Sequence, residues 1–208
     1  MNPIVGMVIA LVLILLNALF VAAEFSLIAA RRTRIEGLVE EGNARARAAL
    51  VSMQTLPLTL SGAQLGITIT SLGLGLIAEP AVATVLEDAI ETFVEIPSGL
   101  LHGISFGIAL FLVVFLHMVL GEMVPKNFAL AEAERTVLWV AAPHRFFVLL
   151  FRPVIWLLNG MAALLLKGFG VEQVDELGTA HTAQELVTMI DASKGEGLID
   201  EFSHNLLS

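Results

Sequence analysis

Charge is absent from Pro3 to Ala23, where "PIVGMVIALVLILLNALFVAA" carries a single amide, Asn17, in an otherwise apolar run. About 20 apolar residues in helix cover the hydrocarbon core of a bilayer, so this run predicts a first membrane-crossing helix. A second uncharged run, "LPLTLSGAQLGITITSLGLGLIA" from Leu56 to Ala78, is rich in glycine and small hydroxyl residues, and a third extends from Pro97 to Leu120. The stretch from Val137 to Phe169 is apolar too, but charges and prolines divide it into "VLWVAAPHR", "FFVLLFRP" and "VIWLLNGMAALLLK". None of these pieces reaches a comfortable spanning length. They predict amphipathic helices at the inner membrane face, with Trp139 and Trp156 at the interface. Between the second and third runs, "EPAVATVLEDAIETFVEIPSG" has helical apolar spacing with an acidic face, which predicts a short helix on the outer leaflet. The chain reads as an all-α integral membrane protein: three transmembrane helices, a short outer helix, inner-face amphipathic helices and an acidic cytoplasmic tail.

Orientation follows from the basic residues, because short loops rich in Lys and Arg stay cytoplasmic. Arg31, Arg32, Arg34, Arg45 and Arg47 lie between the first and second runs, whereas Glu79 to Ser98 contains neither Lys nor Arg. The N-terminus is therefore expected outside. Lys126, Arg135, Arg145, Arg152 and Lys167 then fall inside with the C-terminus, as in a multi-pass protein of the cell (inner or plasma) membrane. The first run is not read as a cleaved signal, since its basic residues follow the apolar stretch. From Gln173 the chain turns polar and acidic: Thr182 and Glu185 form a capping box, and "KGEG" interrupts the helical pattern. The expected division is a transmembrane domain over 1–170 and the start of a juxtamembrane helical segment over 171–208. The chain stops at Ser208 in mid-pattern, which reads as a piece of a longer protein.

Composition agrees, with 57% hydrophobic and 15% charged residues, far from the balance of a soluble domain. The formal net charge of -9 argues against nucleic acid as a partner. Cysteine is absent, which removes disulfides, thiolate metal sites and cysteine nucleophiles. No Ser-His-Asp order, zinc-protease signature or phosphate loop appears where a helix or strand could use it, so an enzyme is not expected.

Polar groups inside a membrane span are expensive and usually face a polar interior that serves transport. Asn17 and Glu24 sit two helical turns apart on one face of the first span, read either as a site or as a packing amide and an interfacial carboxylate. In the second span Thr59, Ser61, Gln64, Thr68, Thr70 and Ser71 supply oxygens. Gly62, Gly66, Gly73 and Gly75 there permit close helix approach, and the alternative reading is a small-residue packing interface. The third place is "GEMVPK". Pro125 cannot donate to the carbonyl of Gly121, which leaves an oxygen beside the Glu122 carboxylate, a hard-cation pair. An all-oxygen site of low charge suits Mg2+ or Na+ rather than softer metals. His102 and His117 read as packing or hydrogen-bonded residues, and Lys126 either pairs with Glu122 or Glu24 or snorkels to headgroups.

Three segments, "NALFVAAEFSLIAARRTRIEGLVEEGN", "LSGAQLGITITSLGLGLIAEPAVA" and "GEMVPKNFALAEAER", resemble the signature regions of the transmembrane domain of the CNNM/CorC (cyclin M) magnesium transporters. The resemblance covers essentially the whole chain. It implies a homodimer in the lipid bilayer that exports Mg2+ against Na+ entry, with a CBS pair beyond the acidic tail binding ATP-Mg2+. It also implies one dehydrated Mg2+ per protomer among the three helices. Carried over, the site falls on Thr59, Ser61, Gln64, Gly121 and Glu122, with Asn17 and Glu24 from the first span. Leu19 replaces one Phe of the family pattern, and Val21 stands where some members carry Ser, which leaves the Val21 or Ala22 carbonyl as a substitute ligand. A non-conducting Mg2+ sensor that regulates other transporters is the competing function. A membrane-damaging toxin fits three retained spans poorly.

Overall fold

The computed structural model describes residues 2–92 and 97–169. The acidic segment from Gln173, its capping box and the expected 171–208 juxtamembrane start lie outside them. Two compact units divide at Ala162, and the geometry below belongs to the first.

Helix α1 (Pro3–Ala29) begins at Asn2, whose Oδ1 accepts from the Ile4 amide at 2.9 Å, as an N-cap must. The basic connection holds two short helices, α2 (Arg32–Glu40) and α3 (Ala44–Gln54). Gly42 turns between them at φ 87°, and Asn43 Oδ1 caps α3 through the Arg45 and Ala46 amides. Helix α4 (Leu56–Glu91) carries Pro57 in its first turn, where no intrahelical donor is needed. Helix α5 (Ser98–Leu116) passes through a π-helical turn (His117–Met123) into α6 (Val124–Ala131), and α7 (Ala133–Gly168) follows. The described residues contain no strand.

Among the described residues four helices are long and apolar enough to cross a membrane: Pro3–Ala29, Leu56–Glu91, Ser98–Ala131 and Ala133–Gly168. Leu15, Leu72, Leu76 and Phe111 stand exposed on them, as lipid-facing residues do. Two expectations need correction. The Val137–Phe169 stretch is not divided into separate amphipathic pieces but lies within one 36-residue helix, α7, with Pro143 and Pro153 inside it. Both prolines are exposed, and the carbonyls they deprive of a donor, at Trp139 and Leu149, also sit on exposed residues, so the helix continues at little cost. The outer helix is likewise not separate. Helix α4 runs unbroken through Pro80 to Glu91, and the carbonyl left without a donor there belongs to the exposed Leu76.

Helix α7 packs against the start of α4. A Cβ at Gly62 would meet Val148 Cγ2 at 2.6 Å and Ile155 Cδ1 at 3.4 Å, and Ser61 Oγ donates to Asn159 Oδ1 at 3.2 Å. Ile155, Leu158, Asn159 and Ala162 share a cavity with Ser61, Gln64, Leu65 and Thr68, so α7 follows this part of α4. One turn further on, Gly66 faces α1: a Cβ there would lie 2.6 Å from the Phe20 ring. Gly73 has Leu13 at 3.4 Å, while Gly75 faces open space. Three of the four glycines therefore permit close approach. Toward the other end, Ala10 and Ile14 of α1 pack with Leu74 and Ala78 of α4 and Val113 of α5.

Candidate functional site

Asn17 is 1% exposed and joins three helices. Its Nδ2 donates to the Gly121 carbonyl at 3.0 Å, and its Oδ1 accepts from Thr70 Oγ1 at 2.8 Å and Ser71 Oγ at 3.4 Å. Ser71 Oγ lies 3.4 Å from His117 Nε2. The carbonyl singled out by Pro125 is thus at the junction, and it takes a side-chain donor from another helix in place of the backbone donor Pro125 lacks. Gly121 must be glycine here. A Cβ would meet His117 Cδ2 at 2.9 Å and Asn17 Nδ2 at 3.3 Å. The π-helical turn that carries it is a widening of the helix, a feature common at functional sites.

The remaining expected residues divide into groups. Glu24, half-buried two turns along α1 from Asn17, lies within reach of the Gln64 amide and the Lys126 ammonium. Lys126 Nζ also stands 4.7 Å above the Phe25 ring. Ser61 bonds to Asn159 and shares with Gln64, Thr68 and Ile155 a cavity of about 320 Å³. Thr59 is turned back onto the chain, its Oγ1 donating to Thr55 O at 2.8 Å and Ser52 O at 3.1 Å, away from Asn17. Glu122 is exposed on the π-helical turn, and Val21 is buried. His102 pairs with Glu87 at 2.6 Å on an exposed surface.

Thr70 and Ser71 enter the junction although the sequence singled them out only as members of a hydroxyl-rich span. Their signal was present: Gly62, Gly66 and Thr70 recur every fourth residue and so share the face that meets neighbouring helices. Among the described residues no three His, Asp or Glu side chains converge. A cation at this junction would be held by neutral amide, hydroxyl and carbonyl oxygens, ligands suited to a hard ion and a moderate affinity.

Comparison with known proteins agrees with this architecture. Residues 8–203 match the family model described as the cyclin M transmembrane N-terminal domain. An uncharacterized protein of Mycobacterium tuberculosis, Rv1841c, is 44% identical over 208 residues, covering 100% of this chain and 59% of its own. The UPF0053 protein YhdT of Bacillus subtilis is 42% identical over 200 residues, covering 96% of this chain and 43% of its own. A UPF0053 protein of Synechocystis, sll0260, is 28% identical over 197 residues, covering 94% and 43%. The chain spans about half the length of these relatives. An all-α chain with several apolar helices, a family model matched along nearly its full length, and relatives in three bacterial lineages give one conclusion: the chain belongs to the cyclin M family.

Proposed function

We propose that this chain exports Mg2+ across the cell membrane, coupled to Na+ entry, as a homodimer in which each protomer holds one dehydrated Mg2+ at the Asn17 junction. In this reading α1, α4 and the Ser98–Ala131 helix cross the bilayer with the N-terminus outside, and α7 lies across their inner ends. The arginines of the α1–α4 connection support that orientation. ATP-Mg2+ binding to a CBS pair beyond Ser208 belongs to the same proposal.

The observation that carries it is the buried contact of Asn17 with the Gly121 carbonyl and the Thr70 and Ser71 hydroxyls. Mg2+ demands six oxygens in near-octahedral order and sheds water reluctantly. At the junction Thr70 Oγ1 and Ser71 Oγ meet the Oδ1 end of the Asn17 amide while Gly121 O meets its Nδ2 end; a cation entering here displaces these hydrogen bonds and is held by oxygens without a formal charge, so it binds moderately and can leave. Glu122 and Gln64 stand exposed on neighbouring turns. Removing the π-helical widening would turn the following residues by about 100°, one residue's arc at 3.6 residues per turn, and so change the face that Glu122 presents. Glu24 answers Lys126 when no cation is present.

The test is Mg2+ flux in liposomes under an imposed Na+ gradient, comparing wild type with Asn17→Ala, Gln64→Ala and Glu122→Ala. Na+-dependent flux that falls at least about tenfold in Asn17→Ala, the loss of one ligand worth ~1.4 kcal/mol, supports the proposal. Tight Mg2+ binding by a folded dimer with no flux at any gradient would replace it with the sensor reading.

A further inference from the structure

A second, smaller cavity of about 150 Å³ opens where α3 gives way to α4, lined by Ser52, Thr55 and Thr59 on one side and by Arg145 and Arg152 of α7 on the other. The two arginines are seven residues apart, two helical turns, and both line one opening. Among the described residues the ion pairs are Arg31–Glu134, Arg32–Glu36 and His102–Glu87, so neither Arg145 nor Arg152 has a carboxylate partner there. No carboxylate lines the cavity. Ser52 is 2% exposed, and its hydroxyl is closed off behind this wall, out of reach of the opening. Helix α4 begins at the same place with no side-chain cap on its N-terminus. The first N–H groups of a helix lack intrahelical partners and carry partial positive charge, which draws anions.

We infer that this cavity binds a phosphate group: the start of α4 donates from one wall, and Arg145 and Arg152 clamp from the other. Guanidinium matches the oxygens of a phosphate bidentately, which a cation of ordinary shape does not. Thr59 Oγ1 is already committed to the Ser52 and Thr55 carbonyls and so serves to hold the α3–α4 corner in shape. The group can come from a phospholipid of the surrounding leaflet or from phosphate in solution. Both present the same tetrahedral anion to the same donors.

The experiment is native mass spectrometry of the purified full chain in detergent, titrated with dioleoylphosphatidylglycerol, with phosphate-free dioleoylglycerol and with inorganic phosphate. Wild type is expected to retain phosphatidylglycerol and not dioleoylglycerol. Arg145→Gln/Arg152→Gln should weaken retention at least about tenfold, as expected for charged hydrogen bonds. Arg32→Gln, which removes a pair with Glu36 within α2, should leave it unchanged. If inorganic phosphate binds with the same sensitivity to the double variant and displaces the lipid, the site stands and is filled from solution. If it does not compete, the site stands as a lipid headgroup site. Equal losses in Arg32→Gln and the double variant would reduce the effect to general surface charge and overturn the inference, as would a double variant that binds like wild type. Both arginines are exposed, so the variants should melt with the wild type.

Discussion

Replacing Gly66 by alanine tests whether the α1–α4 contact sets the geometry of the whole junction. The added carbon would fall 2.6, 2.6 and 2.7 Å from Cδ1, Cγ and Cδ2 of Phe20. Carbon pairs settle at about 3.5–4.0 Å, so ring or helix must yield by about 1 Å. The ring has little room: Phe20 is 5% exposed, with Phe147 at 4.6 Å and His144 edge-on at 6.1 Å. Overpacking of this kind costs about 1–3 kcal/mol, and a wedged ring puts Gly66→Ala in the upper half of that range. The assay is denaturant unfolding in detergent micelles, run as a double-mutant cycle with Phe20→Leu. Coupling of at least about 1 kcal/mol is expected, because the smaller side chain vacates the space the methyl needs. Gly75→Ala is the control; with nothing near its Cβ, it should be neutral or gain up to about 1 kcal/mol from helix propensity. Phe20 lies one turn from Asn17 and Gly66 one turn from Thr70, so Gly66→Ala should also lower Mg2+ flux. Gly66→Ala stability within about 0.5 kcal/mol of wild type, or strict additivity with Phe20→Leu, would refute the reasoning.

Asn17→Leu leaves the Gly121 carbonyl without its side-chain donor in a buried place, and thermal melting should show a loss of about 1–3 kcal/mol. Thr70→Val should cost less, under about 1 kcal/mol in the same melting assay, since the Thr70 hydroxyl serves only as one donor to Asn17 and its remaining bonds are to its own helix. Pro125→Ala restores a backbone donor opposite Gly121; hydrogen exchange at residues 121–126 should slow as the π-helical turn tightens, while flux falls. Arg31→Gln removes a pair with Glu134 at 2.9 Å whose arginine is 77% exposed, and unfolding should register less than about 1 kcal/mol.

Much of this junction could be read from residue chemistry because it rests on local rules. Proline lacks an amide hydrogen wherever it stands, so Pro125 pointed to the Gly121 carbonyl before any neighbour was known. The i, i+4 recurrence of Gly62, Gly66 and Thr70 likewise follows from helix periodicity alone. What could not be read was which neighbour each face meets. Ser61 and Thr59 lie within one turn of each other, yet the first reaches Asn159 and the second folds back on Ser52 and Thr55. Charge and proline counts misjudged α7, because a deprived carbonyl matters little when it sits on an exposed face, and exposure is a property of packing. The same blindness hid the continuity of α4 past Pro80.

Helix α4 is gripped on two sides within one turn, by α7 at Gly62 and by Phe20 of α1 at Gly66. The approach is closer here than at Gly73, where a Cβ would lie 3.4 Å from Leu13, so this end is the pivot for a tilt of α4. From a fulcrum at residue 64, the arm toward Leu56 is about 12 Å and the arm toward Glu91 about 40 Å, at 1.5 Å per residue. A tilt of about 5° that shifts the short arm by roughly 1 Å swings the far end by roughly 3.5 Å, a threefold gain set by helix length alone. Thr70 and Ser71, about 9–10 Å along the long arm, would shift by roughly 0.8–0.9 Å, about a quarter of the swing at Glu91. A small push at the α3–α4 corner would thereby displace the Glu91 end several times farther than the oxygens that face Asn17.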